Sequence, residues 1–151
     1  MSRRMKLILG VIALAIVGFL VIQILPLGNV IPTLQFPGNP AVEQQIQWDS
    51  PQTEQLARAA CYDCHSNETV YPWYANVAPV KWLVYHDINE GRERMNFSTW
   101  QMREFDVDTM VDMIEKGEMP KSVYLPMHPE ARLTTEQKAQ LIAGIEATFG
   151  G

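Results

Sequence analysis

The sequence predicts an all-α chain with an N-terminal transmembrane helix, an extended proline-rich tether and a small helical domain. Three observations carry this reading. Leu7 to Leu25 is a nearly continuous apolar run, broken only by Gly10, Gly18 and Gln23. Prolines at 26, 32, 37 and 40, with glycines at 28 and 38, follow it. Beyond Trp48 no run alternates as a strand, whereas several segments carry apolar residues at helical spacing between capping residues. The divisions are 1–26 for the membrane segment, 27–47 for the tether and 48–151 for the domain.

At ~1.5 Å rise per residue, the apolar run just crosses the ~30 Å hydrocarbon core of a bilayer. A cleaved secretory signal is the competing reading. The run is long for a signal's apolar region, and no Ala-x-Ala site follows it. An uncleaved signal anchor is therefore expected. Arg3, Arg4 and Lys6 precede it and stay on the cytoplasmic side, with everything after Pro26 on the other. The prolines and glycines of 27–47 give a semi-extended spacer.

In the domain, Ser50 before Pro51 is a strong helix start, a hydroxyl at the N-cap and proline at the first helical position. That helix is expected to continue directly into Cys61. Ser66-Asn67-Glu68 breaks it, and Val70-Tyr71-Pro72-Trp73-Tyr74 is an aromatic loop. Pro79 opens a second helix, which Gly91 is expected to end. Ser98 with Gln101 is a candidate capping box for a short helical turn. Asp106 or Asp108 caps a third helix with Val107, Met110, Val111 and Ile114 at helical spacing, and Gly117 stops it. Thr134 with Gln137 is a further capping box, opening a last helix with an apolar stripe of Ala139, Leu141, Ile142, Ile145 and Phe149.

The net charge is −5, from 12 basic and 17 acidic residues. Three basic residues precede the membrane segment, so the part beyond it carries −8. A nucleic-acid partner is excluded as an expectation, because phosphate binding needs a basic surface. An acidic domain is instead suited to steering toward a basic patch on a protein partner.

The chemistry lies in Cys61-Tyr62-Asp63-Cys64-His65. This is the C-x-x-C-H pattern of covalent haem attachment. Each thiol can form a thioether to one porphyrin vinyl group, and the histidine directly after the second thiol can ligate iron. The chain has only these two cysteines. A thioredoxin-like redox pair needs a β-α-β setting, which is absent from the pattern. A structural zinc site needs four ligands, and His86 and His128 lack the spacing to supply the rest. A plain disulfide leaves His65 unexplained.

Gly117-Glu118-Met119-Pro120 follows the third helix. A methionine thioether opposite histidine raises the reduction potential and closes the sixth position, which suits electron transfer. With these residues in view, the chain resembles the class I c-type cytochromes. More narrowly, it resembles the small membrane-anchored haem-binding domains with one C-x-x-C-H. The stretches that carry the resemblance are Cys61 to Asn67, Tyr71-Pro72-Trp73-Tyr74, Asn96-Phe97-Ser98, Glu118-Met119-Pro120 and His128-Pro129-Glu130-Ala131-Arg132-Leu133-Thr134.

The resemblance implies a cytochrome c-like helical fold around one covalent haem c, attached through Cys61 and Cys64. His65 is then the proximal iron ligand and Met119 the first candidate for the distal one. His128 is the main alternative, with Met127, His86 or an open site behind it. Arg58, Lys81, Arg92, Arg94 and Arg132 are candidates for pairing with haem propionates. The implied role is that of an electron carrier rather than an enzyme. It exchanges single electrons with redox protein partners, or within a respiratory or photosynthetic membrane complex. The implied place is the periplasmic face of a bacterial cytoplasmic membrane, with the lipid bilayer holding the N-terminal helix. Two rivals stand beside it. One is a haem sensor or peroxidase-like protein with an exchangeable sixth ligand; the other is a structural accessory subunit that assembles through its anchor.

Overall fold

The computed structural model describes residues 2–102 and 106–150. Among these residues the chain is all-helical, with no strand. Six α-helices alternate with short 3₁₀ turns: α1 Arg3–Ile24, α2 Pro51–Ala60, α3 Tyr62–His65, α4 Val80–Arg94, α5 Val107–Glu115 and α6 Thr135–Phe149.

The chain gathers into two compact units. The first holds the chain up to Pro37 together with Tyr71–Asn89; the second holds Gly38–Val70 and the chain from Glu90 onward. In the first unit, α1 is 22 residues long, its most apolar 18-residue window has a mean hydropathy of 2.9, and none of it is buried. It is long and apolar enough to cross a membrane. Ser2 caps it by accepting the Met5 N–H at 3.3 Å. Its end is bonded rather than free. The Gln23 amide accepts from the Ala78 N–H at 2.8 Å and donates to the Ala78 carbonyl at 3.1 Å. The 3₁₀ turns Leu27–Asn29 and Pro32–Leu34 follow, and Asn89 donates to the carbonyls of Thr33 and Gln35. Phe36 lies between the rings of Tyr71 and Tyr85, at 5.1 and 5.2 Å.

The second unit is built on a core of Leu56, Ala57, Tyr62, Met95, Phe97, Met110, Ile114, Leu141 and Ile145. The expected caps are in place. Ser50 accepts the Thr53 N–H, Asp106 accepts the Thr109 N–H, and Thr134 and Gln137 form the reciprocal box. Gly117 ends α5 at a φ of +70°, a conformation that costs glycine little. α2 packs against α6 through Thr53 and Gly144, where a Cβ on Gly144 would lie 2.1 Å from the Thr53 hydroxyl oxygen. Gly144 thus belongs to the buried stripe of α6 with Leu141 and Ile145, while Ala139 of the expected stripe is exposed.

Three expectations change. The helix from Pro51 does not run unbroken through Cys61: φ and ψ there are −127° and −37°, and a separate turn, α3, begins at Tyr62. The Cys61 carbonyl accepts both the Cys64 and His65 N–H groups, which anchors the new turn. Gly91 does not end α4, which continues to Arg94; the lack of a side chain at Gly91 serves a close approach described below. The Ser98 hydroxyl accepts the Asn67 N–H at 2.9 Å; the expected box with Gln101 lies outside the described residues. The stretch 27–47 is held down, in the first unit as above. In the second unit, the Glu43 and Gln44 N–H groups both reach the Ser98 carbonyl, and Asn67 donates to the Ala41 carbonyl.

Candidate functional site

The site grows from the turn that carries the two thiols and His65. α2 delivers Cys61 and α3 delivers Cys64 and His65, so the three potential ligands follow one another along a single tight bend. Both cysteines are free thiols and half-buried. Burial pushes the Cys61 thiol up to about 12, and the charge of a neighbouring Cys64 thiolate acts in the same direction.

His65 is oriented by backbone oxygens. Its Nδ1 lies 3.0 Å from the Gly91 carbonyl oxygen and 3.2 Å from that of Met95. Carbonyls only accept, so Nδ1 carries the proton and Nε2 keeps its lone pair. A histidine that donates from one ring nitrogen and ligates through the other is the usual arrangement at iron and zinc. Burial holds His65 below its ordinary range; the two carbonyls oppose that shift, and the positive charge of Lys121 adds to it. His65 is therefore neutral near pH 7, as a ligand must be.

Gly91 makes this contact possible. A Cβ there would lie 2.5 Å from the Cys64 carbonyl oxygen, so the last turns of α4 touch the thiol-bearing bend backbone to backbone.

Behind the motif, the segment after His65 forms a buried polar knot. Ser66 donates to the Tyr62 carbonyl at 2.8 Å, and Thr69 donates to that of Asp63 at 2.6 Å. The Asn96 side-chain amide donates to the Asn67 side-chain oxygen, Oδ1, at 2.9 Å. Among the described residues, no buried side-chain polar atom lacks a partner. Arg92 spans this knot. It donates to the Ser66 and Gly38 carbonyls, to the Asn39 side-chain oxygen and to the Thr69 hydroxyl.

The distal candidates are placed as follows. Met119 is half-buried in the loop after α5, with its N–H bonded to the Met113 carbonyl at 3.1 Å. Lys121, two residues further on, acts electrostatically on His65. His128 is buried, and its ring is stacked on Tyr124 with centroids 3.7 Å apart. Its Nδ1 is 3.1 Å from Glu130 Oε1 and 3.9 Å from Asp63 Oδ2. Tyr124 donates to the same Asp63 oxygen at 2.7 Å; burial first, and then Asp63, push the Tyr124 hydroxyl far above its ordinary range. Met127 is exposed. His86 is half-buried on α4, in the stretch that belongs to the first unit.

The five cations considered for propionate pairing are all engaged by the polypeptide. Arg58 pairs with Glu54 at 2.8 Å and reaches Glu68 at 3.4 Å, while Arg94 meets Glu90 at 3.7 Å. Lys81 donates to the Gln23 carbonyl, and Arg132 donates to the carbonyls of Leu125 and Pro126. The rings of the 70–74 loop divide their roles: Tyr71 packs on Phe36, and Trp73 is exposed.

Sequence reasoning missed Gly91, Met95 and the Asp63–Tyr124 pair. For the carbonyls no signal exists, because any residue supplies one. For Asp63, its place inside the motif was a signal, and its partner 61 residues away was not.

The donor set fits a haem: two thiols, a neutral imidazole with a directed lone pair, and a half-buried thioether at Met119. A family model described as a haem-binding domain matches residues 17–147, and the chain belongs to that family. No curated protein and no solved structure matches it.

Proposed function

We propose that this haem-binding protein is a membrane-anchored, single-haem cytochrome of the c type that carries electrons on the periplasmic side. The observation that carries the reading is the His65 imidazole. It directly follows the two thiols, and its Nδ1–H donates to the Gly91 and Met95 carbonyls, which leaves Nε2 as the ligand. In this reading Cys61 and Cys64 form the thioethers, His65 is the proximal ligand and Met119 is the distal one. Bound iron supplies a reversible one-electron change between the ferrous and ferric states.

The residues of the chain do the rest. The buried knot of Ser66, Asn67 and Thr69 and the close Gly91 contact hold the bend rigid, which limits reorganisation when charge changes at the site. Met119 is taken as the sixth ligand, and His128, whose Nδ1 faces Glu130 and Asp63 and whose ring stacks on Tyr124, is the alternative. A filled sixth position favours electron transfer over ligand exchange or peroxide chemistry. α1, with Arg3, Arg4 and Lys6 at its start, supports a single-pass anchor with the remaining chain outside. Redox protein partners, or a membrane electron-transfer complex, would supply and remove the electrons.

The test is the oxidised and reduced absorption spectrum of the full chain produced with c-type haem maturation, together with the mass of the denatured protein. A low-spin c-type spectrum and one haem retained on denaturation are expected. Loss of the haem on denaturation, or a high-spin ferric form, would overturn the reading.

A further inference from the structure

We infer that the first unit is a membrane-interface platform: Trp73, Val80 and Leu83 sit in the lipid headgroup region, held there by Gln23. The inference rests on α1 spanning the bilayer and goes beyond an anchor joined to a free spacer.

The 22 residues of α1 span ~33 Å, little more than the ~30 Å hydrocarbon core. With the basic residues at its start on one side, Gln23 falls at the opposite boundary. Gln23 is not in open chain there. Its amide closes both polar groups of the Ala78 backbone, at 2.8 and 3.1 Å, and Lys81 Nζ donates to its carbonyl at 2.9 Å. These bonds bring the beginning of α4 to the same depth as the end of α1. Asn89, bonded to the carbonyls of Thr33 and Gln35, and the Phe36–Tyr71 and Phe36–Tyr85 contacts close the unit from the other side.

At that depth the unit presents apolar side chains outward. Val80 and Leu83, three residues apart on one face of α4, are 42 % and 45 % exposed; Trp73 in the same unit is 74 % exposed, and Ile24 on the end of α1 is 79 % exposed. Large apolar residues left exposed in one unit call for a partner. Continuity with the membrane-crossing helix makes that partner lipid. The accompanying residues are those of a bilayer boundary. Trp82, with the Lys81 ammonium 5.6 Å from its ring centroid, combines an apolar body with a charge that can reach the headgroups.

The test uses the full-length protein in phosphatidylcholine nanodiscs, with the photo-crosslinking residue p-benzoyl-phenylalanine replacing Leu14, Trp73 or Leu83 in turn. Lipid adducts are read by intact mass. The expected result is adducts at all three positions, with Gln23→Ala lowering the yield at Leu83 several-fold and leaving Leu14 unchanged. Adducts at Leu14 alone would overturn the platform while leaving the membrane anchor standing. Adducts at none of the three would overturn the anchor, and the platform with it. An unchanged Leu83 yield in Gln23→Ala would overturn Gln23 as the hold.

Discussion

Gly91 and Cys64 approach so closely that a Cβ on Gly91 would lie 2.5 Å from the Cys64 carbonyl oxygen. The obstructing atom is backbone, so it cannot rotate aside. Gly91→Ala must push α4 away from the thiol-bearing bend, and overpacking of this kind costs about 1–3 kcal/mol. The same displacement lengthens the His65–Gly91 hydrogen bond. The expected result is a lower urea midpoint with an unchanged slope, and a haem spectrum in which the proximal environment is altered. A variant as stable as the parent would show that the two backbones are not in contact.

Tyr124 and Asp63 give a second test. Asp63 sits inside the C-x-x-C-H motif, and its Oδ1 accepts the Val70 N–H while Oδ2 accepts the Tyr124 hydroxyl. Tyr124→Phe keeps the ring that stacks on His128 and removes only the donor to a partly buried carboxylate. The expected loss is about 1–2 kcal/mol in urea unfolding. Asp63→Asn in the Tyr124→Phe background should then cost much less than in the parent, because the partner is already gone. Equal costs in both backgrounds would mean the pair is not coupled.

The Cys61 thiol makes the haem-free chain sensitive to alkali. Its ordinary value of 9.0 is pushed up to about 12 by burial. Above pH 9 the unfolded chain gives up this proton while the folded chain keeps it. Stability is therefore fully present below pH 9 and falls as pH rises toward 12. A thioether sulfur has no such proton, so haem attachment at Cys61 removes the effect. Urea midpoints of haem-free parent and Cys61→Ala between pH 8 and 11 should converge at the alkaline end. Parallel curves would show that the thiol titrates as it does in water.

Local signals in the sequence were sufficient for the helices and insufficient for what the helices bring together. The caps at Ser50, Asp106 and Thr134 depend on residues three positions apart, so the pattern carries them directly. Gly91 shows the opposite case. Read locally, a glycine near the end of a helical run is a stop; in the fold it is the place where another backbone passes. Gly144 against Thr53 is the same situation. The break at Cys61 comes from its carbonyl accepting two N–H groups at once, a choice that helical propensity does not encode. The cysteines and His65 are legible because they stand together in one short motif of fixed spacing. The Asp63, Tyr124 and His128 cluster was not, because hydrogen bonds across some sixty residues leave no periodic trace.

The assignment of the sixth ligand separates Met119 from His128. Met119 is half-buried in the loop whose Lys121 acts on His65. His128 is buried, stacked on Tyr124 and bonded toward Glu130. If Met119 is the ligand, Met119→Ala abolishes the weak long-wavelength methionine-to-ferric band and lowers the reduction potential, since thioether ligation favours the ferrous state. His128→Ala then keeps the band and the low-spin spectrum but loses stability, because the ring that Tyr124 and Glu130 hold is gone. The reverse pattern assigns the ligand to His128: a low-spin spectrum surviving Met119→Ala and lost in His128→Ala. The two variants, read in the same oxidised and reduced spectra, therefore distinguish a ligand from a residue that supports the fold.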